Sequence, residues 1–410
     1  MSTFRTFTRR LFIVANAVAV ILFLLACANS FLRPGGWWLI SMLGLLFPVL
    51  LLAVICGFVL FLFWPSCRRW AWVSLGALIV GVSNIHSFFA FHLGKGFVQE
   101  KPPHSVRVLT WNVRSFDEFT TKKRGASGHR LKMLDFIGQQ EADVICLQEF
   151  FESHEWRMWK GKKPPAGEVS GAAGSKGAKE AAGGVKTDTV MESNIAYIQQ
   201  RFHYPYYYFS RDYGRSNGPS EAGVIIFSRY PMLDSTLMRY AKPDGFKATE
   251  SLVAADILVG KDTFRVFTTH LQSVLFRAKE FHDIQVIKNV DDSILQASKS
   301  IAKKLRYAFQ LRADQADAAR ALVDKSPYPG WLCGDFNDVP NSYTYYRMKG
   351  GWKDAWIEKG FGIGRTYVNI SPTLRIDYIL ADPKLRVLQC RKFSLPWSDH
   401  SPVLADLQIP

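Results

Sequence analysis

The pattern of hydrophobic and polar positions divides the chain near residue 100. Before that point lie three long apolar stretches, Leu11–Ala28, Trp38–Trp64 and Trp70–Phe91. Each reaches the roughly 18–20 residues that a helix needs to cross a hydrocarbon core. A short polar linker follows at 94–104. We therefore expect residues 1–93 to form a membrane anchor of about three transmembrane helices, with the lipid bilayer as its partner.

Beyond the linker, short apolar runs alternate with amphipathic stretches over residues 105–410. Apolar residues at helical spacing predict helices at Arg130–Gln140 and within 274–325. Many strands with helices between them favour two packed mixed sheets flanked by helices, a four-layer α/β/β/α sandwich. The expected strands are Val106–Trp111, Ala142–Leu147, Tyr204–Phe209, Gly223–Phe227, Met232–Met238, Leu252–Leu258, Thr263–Thr269, Trp331–Cys333, Ile376–Leu380, Leu385–Gln389 and Val403–Leu407.

One internal segment departs from this pattern. Residues 160–189 consist of Gly, Ala, Lys and Ser with almost no large apolar side chain. Such a stretch cannot bury enough surface to offset its ordering entropy, which predicts a disordered surface insertion. A basic loop that grips a substrate is the alternative interpretation.

Charge changes the picture in two ways. Residues 1–100 hold seven basic residues and one acid, and the remainder holds 44 basic and 34 acidic residues, so the formal charges are +6 and +10. A basic soluble domain favours a polyanionic partner, such as nucleic acid, phosphorylated head groups or an anionic bilayer. A solvated basic surface without such a partner accounts equally well for the charge.

The positive charges also predict sidedness. One Arg lies in the first loop, whereas the N-terminus and the second loop hold Arg5, Arg9, Arg10, Arg68 and Arg69. Positive loops stay in the cytoplasm, so three crossings place the C-terminal domain on the non-cytoplasmic side of an inner or plasma membrane. The third apolar stretch is interrupted by polar residues. If it lay only in the interface, the domain would be cytoplasmic.

Six short sequence strings with polar residues lie at the ends of predicted buried strands, most of them at the carboxyl ends of those strands. They are Thr110–Val113, Leu147–Glu149, Thr268–Leu271, Gly334–Asp338, Arg375–Tyr378 and Ser398–Ser401. Together they deliver carboxylates, amides and imidazoles. Phosphoryl transfer needs a cation on the phosphate oxygens, donors that hold the phosphate and a base for water. The ordered set therefore predicts a metal-assisted phosphoryl-transfer site.

The first candidates for this chemistry follow two buried strands: the acid Glu149 after one, and the pair Asp335 and Asn337 after the other. Glu149 ends the apolar run of its strand and fits a Mg²⁺ ligand, since Mg²⁺ prefers oxygen and keeps several waters. Asp335 and Asn337 alternate onto one face, where they can position water or stabilise phosphate charge. A surface acid at a strand end and an Asx turn are the structural alternatives.

The last string supplies a base. Asp399 and His400 point to different sides of an extended chain, so one can reach a metal while the other faces phosphorus. A histidine base needs a carboxylate on its far nitrogen, and Asp377 is the candidate. His270 offers a second imidazole, and Asn112 offers an amide to the phosphate or to a metal-bound water.

The residue types in these six strings, and their order along the chain, resemble the sequence motifs of the endonuclease/exonuclease/phosphatase superfamily, which has the DNase I-like fold. The resemblance covers about residues 105–408. It implies a Mg²⁺-dependent hydrolase, with Mn²⁺ as the alternative ion, and a membrane-anchored member of bacterial type. It further implies Asn112 and Glu149 at the metal and phosphate, with Asp399 near the metal. His270 becomes a phosphate-contacting or general-acid histidine, Asp335 and Asn337 a water-orienting pair, and Asp377 and His400 an acid–histidine dyad.

The leading hypothesis is a membrane-anchored phosphoesterase that hydrolyses diesters of nucleic acid or of phospholipid head groups. A phosphomonoesterase of the same fold is the next hypothesis. A membrane-tethered binding domain that has lost its chemistry is the third, and it is disfavoured because the candidate residues are intact. The sequence identifies no protein partner, and it does not choose between one metal ion and two.

Overall fold

The structure is a computed structural model that describes residues 2–94, 96–118, 129–153, 193–214, 220–241, 250–274 and 294–409. The insertion predicted at 160–189 lies outside these residues. From Ser105 onward the described residues form two large β-sheets packed face to face between two layers of helices, which confirms the predicted four-layer α/β fold.

The strands follow the predicted apolar runs closely. In chain order they are β1 (Ala90–Phe91), β2 (Ser105–Asn112), β3 (Val144–Ser153), β4 (Tyr206–Phe209), β5 (Tyr213–Gly214), β6 (Ser220–Ser228), β7 (Met232–Arg239), β8 (Ser251–Val259), β9 (Asp262–His270), β10 (Gly330–Asp335), β11 (Lys353–Asp354), β12 (Phe361–Gly362), β13 (Asp377–Ala381), β14 (Arg386–Lys392) and β15 (Val403–Gln408). The α-helices are α1 (Ser2–Ala28), α2 (Pro34–Leu45), α3 (Phe47–Leu62), α4 (Arg68–Val80), α5 (Val82–Phe88), α6 (His129–Gln139), α7 (Asn194–Phe202), α8 (Ile294–Val323), α9 (Tyr343–Lys349) and α10 (Ala355–Lys359).

Each large sheet combines parallel and antiparallel pairs. The first sheet has the order β14-β15-β2-β3-β6-β4, with β5 paired to β6, and the second has the order β11-β13-β10-β9-β8-β7. The pairs β2–β3 and β9–β10 are parallel. Parallel neighbours bring their carboxyl ends to the same sheet edge, which gathers the side chains that follow these strands.

Alternating side chains fill three apolar layers. Val108 and Cys146 of the first sheet meet Val266 and Cys333 of the second in the central core. The opposite faces pack against α6 and α7 on one side and against α8 and α9 on the other. Full burial of one such apolar side chain contributes about 1.5–3 kcal/mol, so these layers fix the relative position of the sheets.

Two catalytic candidates lie at amino ends of strands, in line with the predicted strands Ile376–Leu380 and Val403–Leu407, whereas most of the strings are expected at carboxyl ends. Asp377 is the first residue of β13, and His400 precedes β15. Both strands run antiparallel to their neighbours, and Asp335 is paired in register with Asp377. The amino ends of β13 and β15 therefore meet the carboxyl ends of β10 and β2, and the side chains still converge.

Glu149 does not end its strand, because β3 continues to Ser153. The pairing of β3 with β6 shifts between Leu147 and Phe150, and Glu149 adopts a φ of 49°. This β-bulge re-aims one side chain without ending the strand. Bulges of this kind cluster beside functional sites.

The N-terminal part is helical, as predicted. Within it, Phe4–Ala28 is one helix that is long and apolar enough to cross a membrane. The second and third apolar stretches are bent pairs, Pro34–Leu45 with Phe47–Leu62 at 61° and Pro65–Val80 with Val82–Phe88 at 63°. By length and composition these described helices offer one span, or up to three if each bent pair is one crossing.

Candidate active site

The carboxylate of Asp335 lies at the centre of the site, 1 % exposed at the end of β10. Asn112 donates from Nδ2 to its Oδ2 at 3.0 Å. The Nε2 atoms of His270 and His400 each lie 3.7 Å from the same oxygen. Burial, and then the charge of Asp377, raise the pKa of Asp335 to about 6, although the two histidines oppose this shift. The carboxylate of Asp335 thus interacts with polar side chains that come from both sheets.

Gly334, the residue before Asp335 in β10, allows β10 to approach β9 closely. Its φ is +138°, and a Cβ there would lie 2.0 Å from the Thr269 carbonyl oxygen. Only glycine fits both conditions, so β10 can lie close to β9 just before Asp335.

Asn337 lies in the Asx turn that the sequence offered as the structural alternative. Its backbone N–H donates to Asp335 Oδ1 at 2.8 Å, its φ is 53°, and its Nδ2 donates to the Leu271 carbonyl at 2.9 Å. The amide donor is therefore already used by the backbone. The predicted common face of Asp335 and Asn337 on an extended chain is wrong, because Asn337 occupies the left-handed region.

Asp377 and His400 form the predicted buried pair. His400 Nδ1 lies 3.0 Å from Asp377 Oδ2 and 3.2 Å from Oδ1, so its Nε2 is left to face Asp335. Burial lowers the pKa of His400, but the carboxylates of Asp377 and Asp335 outweigh it and raise the pKa to about 10. The imidazole is therefore oriented by one carboxylate and electrostatically coupled to a second.

Neighbouring groups hold this dyad in place. The Trp111 Nε1–H donates to the His400 carbonyl at 2.9 Å, and Ser398 Oγ donates to the Asn112 carbonyl at 3.0 Å. The Tyr367 ring lies 4.9 Å from that of His400. Thr366 Oγ1 accepts the backbone N–H of Asp377 at 3.1 Å. Sequence reasoning missed Thr366 and Tyr367, which lie in a loop without a motif.

Glu149, Asn112 and His270 form the more open side of the site. Asn112 Nδ2 donates to Glu149 Oε1 at 3.1 Å, and the side chain of Glu149 is 39 % exposed. His270 Nε2 lies 3.9 Å from the same oxygen and is buried without a hydrogen-bond partner among the described residues. A buried polar atom without a partner costs about 1–3 kcal/mol, which suggests that a ligand atom satisfies it.

Asp399 lies apart from this centre. Asn369 Nδ2 donates to its Oδ2 at 3.2 Å, and Arg114 Nε lies 3.7 Å from the same oxygen. Among the described residues, the His and acidic groups whose potential ligand atoms lie within 4.8 Å of one another are Asp335, Asp377 and His400. Of the sequence candidates, Asp399 is thus the one that the structure joins to Arg114 and Asn369 rather than to Asp335.

The arrangement combines the parts that hydrolysis of a phosphate ester requires. It offers an oriented imidazole, a buried carboxylate, an imidazole nitrogen without a hydrogen bond among the described residues, and a partly exposed acid beside the Asn112 amide. Oxygen donors suit a hard divalent cation, and imidazoles suit proton transfer. Arg114 at the rim adds a half-exposed positive charge that sequence reasoning did not single out.

Solved structures similar to the chain include an endonuclease/exonuclease/phosphatase from Beutenbergia cavernae DSM 12333, at 19 % identity and TM-score 0.47 over 75 % of this chain and 72 % of that one. The human Nocturnin catalytic domain with bound sulfate anion matches at 16 % identity and TM-score 0.46, over 74 % and 93 %. ANGEL2, a 2′,3′-cyclic phosphatase, in complex with adenosine-2′,3′-vanadate, matches at 15 % and 0.45, over 76 % and 99 %.

No curated protein matches the chain. Two family models do. A domain of unknown function (DUF8431) matches residues 9–88, the helical N-terminal part. The second model, the Endonuclease/Exonuclease/phosphatase family, matches residues 109–400 and so includes every candidate site residue from Asn112 to His400. The chain therefore belongs to the Endonuclease/Exonuclease/phosphatase family.

Proposed function

We propose that this chain is a membrane-anchored, Mg²⁺-dependent phosphoesterase that hydrolyses phosphodiester bonds with a water activated by His400. The observation that supports this most is the buried Asp377–His400 pair, whose free Nε2 faces Asp335 at 3.7 Å. Family membership supports the same class of chemistry. An inactive binding domain would have no need to keep this buried, charged arrangement.

Each site residue has a role in this proposal. His400 takes a proton from water at Nε2, while Asp377 holds the other ring nitrogen and stabilises the imidazolium. The water oxygen bonds to phosphorus, and the bond from phosphorus to the leaving oxygen breaks. His270 Nε2 donates to a phosphate oxygen or to the leaving oxygen. Asp335, kept in place by the Asn112 amide and the Asn337 backbone N–H, orients the water.

A divalent cation fits the open side of the site, at Glu149, better than the buried group of Asp335, Asp377 and His400. His400 Nδ1 and the Asp377 carboxylate already satisfy each other, whereas Glu149 is partly exposed and has the Asn112 amide beside it. We assign Glu149, with Asn112, as the metal-binding side, and Asp399 as a more distant contributor. A bound Mg²⁺ would neutralise phosphate oxygens and lower the pKa of His400 towards a value suited to a base.

His400→Ala in the full chain should lower turnover of bis(p-nitrophenyl) phosphate with Mg²⁺ by about 10²–10⁴-fold, because the base is removed. His203→Asn is the matched control, since His203 is an exposed histidine with φ 60° that asparagine also adopts. Equal turnover of both variants, or activity that survives chelation, would reject the proposal. Preference for p-nitrophenyl phosphate over the diester would favour the phosphomonoesterase.

Asp377→Asn should move the rising limb of the pH–rate profile to lower pH and reduce the maximal rate by about 10²-fold or more. The Asp377 carboxylate raises the pKa of His400, so its loss lets the neutral imidazole persist at lower pH. The tautomer is then no longer fixed, which reduces the rate. Asp382→Asn, after the far end of β13, should leave the profile unchanged. A limb that stays in place in Asp377→Asn would contradict the assignment.

Glu149→Gln should raise the Mg²⁺ concentration for half-maximal activity by about tenfold or more, since one negative ligand is lost. Calorimetric titration of the same protein with Mn²⁺ should show a matching loss of affinity. Glu358→Gln, an exposed acid on α10, serves as the control. Unchanged metal affinity in Glu149→Gln would remove Glu149 from the metal site.

The same proposal places the catalytic domain on the non-cytoplasmic side. Arg9 Nη2 donates to the Ser66 carbonyl at 3.0 Å, so the basic N-terminus and the Arg68–Arg69 loop lie together. The catalytic domain contacts the other ends of these helices, at Asn29 and Ser87. Among the described residues, Arg33 is the one arginine of these loops that contacts the domain, and the larger cluster at the N-terminus and at Arg68–Arg69 supports three crossings.

A reporter enzyme fused after residue 410 should be active only in the non-cytoplasmic compartment. A second reporter enzyme, one that is active only in the cytoplasm, should show no activity when it is fused at the same point. Cytoplasmic activity of the fusion would show that an even number of segments crosses, and would reverse the sidedness.

A further inference from the structure

The membrane anchor is packed directly against the catalytic domain. Asn29 Nδ2 donates to the Asn341 carbonyl at 3.2 Å, and Gln310 Nε2 donates to the Gly35 carbonyl at 3.3 Å. Arg33 pairs with Asp314 on α8. These contacts join the end of α1 and the start of α2 to the domain, so they limit how far it can move from the bilayer.

The linker after the anchor is fixed as well. The Val98 N–H donates to Gln389 Oε1 at 2.9 Å, and Gln389 Nε2 donates to the Val98 carbonyl at 2.9 Å. The guanidinium of Arg107 donates to the Gln99 carbonyl at 2.9 Å and lies 5.3 Å from the Phe97 ring. A segment held by side chains on the domain surface is not a flexible tether.

The contacts with the anchor lie beside the catalytic residues in the chain. Arg375 Nη2 donates to the Ser87 carbonyl in the last turn of α5 at 2.6 Å. Its Nη1 pairs with Asp354 at 2.6 Å, and both side chains are 1 % exposed. Asp377 follows Arg375 by two residues, which span at most about 7 Å. The end of the last anchor helix therefore lies close to the Asp377–His400 pair.

An exposed apolar patch marks the same junction. The Phe89 ring lies 4.7 Å from that of Phe91 and 5.7 Å from that of Phe361. Phe91 is 61 % exposed, Leu93 84 % and Phe361 57 %. Strands β1 and β12, which carry this patch, pair directly after the last anchor helix. Large apolar side chains at a point where the chain leaves an apolar helix suit burial in the bilayer interface.

The chain continues from this patch to the catalytic histidine. The segment after β12 reaches Tyr367 within six residues, and Tyr367 forms a β-bridge with His400. An extended segment of six residues spans at most about 20 Å. With the patch in the bilayer interface, this segment would hold the reacting groups within about that distance of the head-group layer.

We propose that the substrate is a phosphodiester of a membrane lipid; this inference rests on the proposed phosphodiesterase function. Head-group phosphates lie in the layer that the exposed apolar patch beside the site would reach. Basic charge suits nucleic acid and lipid phosphates equally, but an apolar patch favours the lipid. Water adds to the lipid phosphorus and the bond from phosphorus to one alcohol oxygen breaks. The products are a phosphomonoester and an alcohol, which takes the proton that water loses.

The test uses the full chain in vesicles of phosphatidylglycerol, phosphatidylethanolamine and sphingomyelin, with Mg²⁺. Loss of each lipid is measured by mass spectrometry, and bis(p-nitrophenyl) phosphate and DNA and RNA oligonucleotides are assayed in the same vesicles. We expect at least one lipid to be hydrolysed more than tenfold faster than either oligonucleotide. The rate of hydrolysis of that lipid should fall in proportion to its mole fraction when a non-hydrolysable ether phosphonolipid replaces part of it in the bilayer.

Faster cleavage of an oligonucleotide, or a lipid rate that does not depend on dilution, would overturn the inference. Turnover of bis(p-nitrophenyl) phosphate without loss of any of the three lipids would also overturn it, while leaving the proposed function intact. Failure of every substrate would instead reject the proposed function, and the inference with it.

A pair of variants tests the role of the junction. Phe361→Ser should reduce the ratio of lipid turnover to bis(p-nitrophenyl) phosphate turnover at least threefold, because the patch then holds the site less closely to the bilayer. Leu233→Ser is the matched control, since Leu233 is also 57 % exposed but lies on the edge strand β7. Equal ratios in the two variants would contradict a membrane role for the patch.

Discussion

The buried carboxylate of Asp335 is the constraint on which the rest of the site depends. A carboxylate that is removed from water is costly unless hydrogen bonds and opposite charges surround it. Asn112 comes from the first sheet, His270 and Asp335 come from the second, and His400 comes from the segment just before β15, the strand next to β2. Stabilising this one acid therefore requires the edges of both sheets to meet. A second polar link, from Gln148 to Thr268 at 3.0 Å, joins the sheets just beneath it.

The same requirement explains the local irregularities. Gly334 lets β10 approach β9 at the point where Asp335 emerges, the Asx turn at Asn337 donates a backbone N–H to that carboxylate, and the bulge at Glu149 turns an acid towards Asn112. Glycine adopts its positive φ without strain, whereas the left-handed backbone of Glu149 and of Asn337 costs about 1–3 kcal/mol each. The apolar layers around the sheets, with the buried Arg107–Asp406 and Arg375–Asp354 pairs, supply the rigid frame in which they persist.

Much of this could be predicted from the sequence. The strand positions follow from branched apolar runs that fill buried sheets, and the identities of Asp377, His400 and Asp335 follow from the ordered strings. The need of a histidine base for a carboxylate made Asp377 the candidate partner of His400, and the family resemblance implied the same pair. The bulge at Glu149 and the turn at Asn337 could not be predicted, because both depend on pairing with strands distant in sequence. Tyr367 reaches His400 only through the tertiary fold. The apolar stretches bend just before Pro48 and at Gly81, where α3 begins and α4 ends.

The central claim is that His400 activates water for direct attack on phosphorus. Its most direct test is the stereochemistry of one turnover, measured with a chiral phosphorothioate diester in ¹⁸O-labelled water. Direct in-line attack predicts inversion at phosphorus, with the label in the phosphorothioate monoester. Retention would show a covalent phosphoenzyme intermediate, and label in the released alcohol would show that a carbon–oxygen bond breaks; either result would contradict the account.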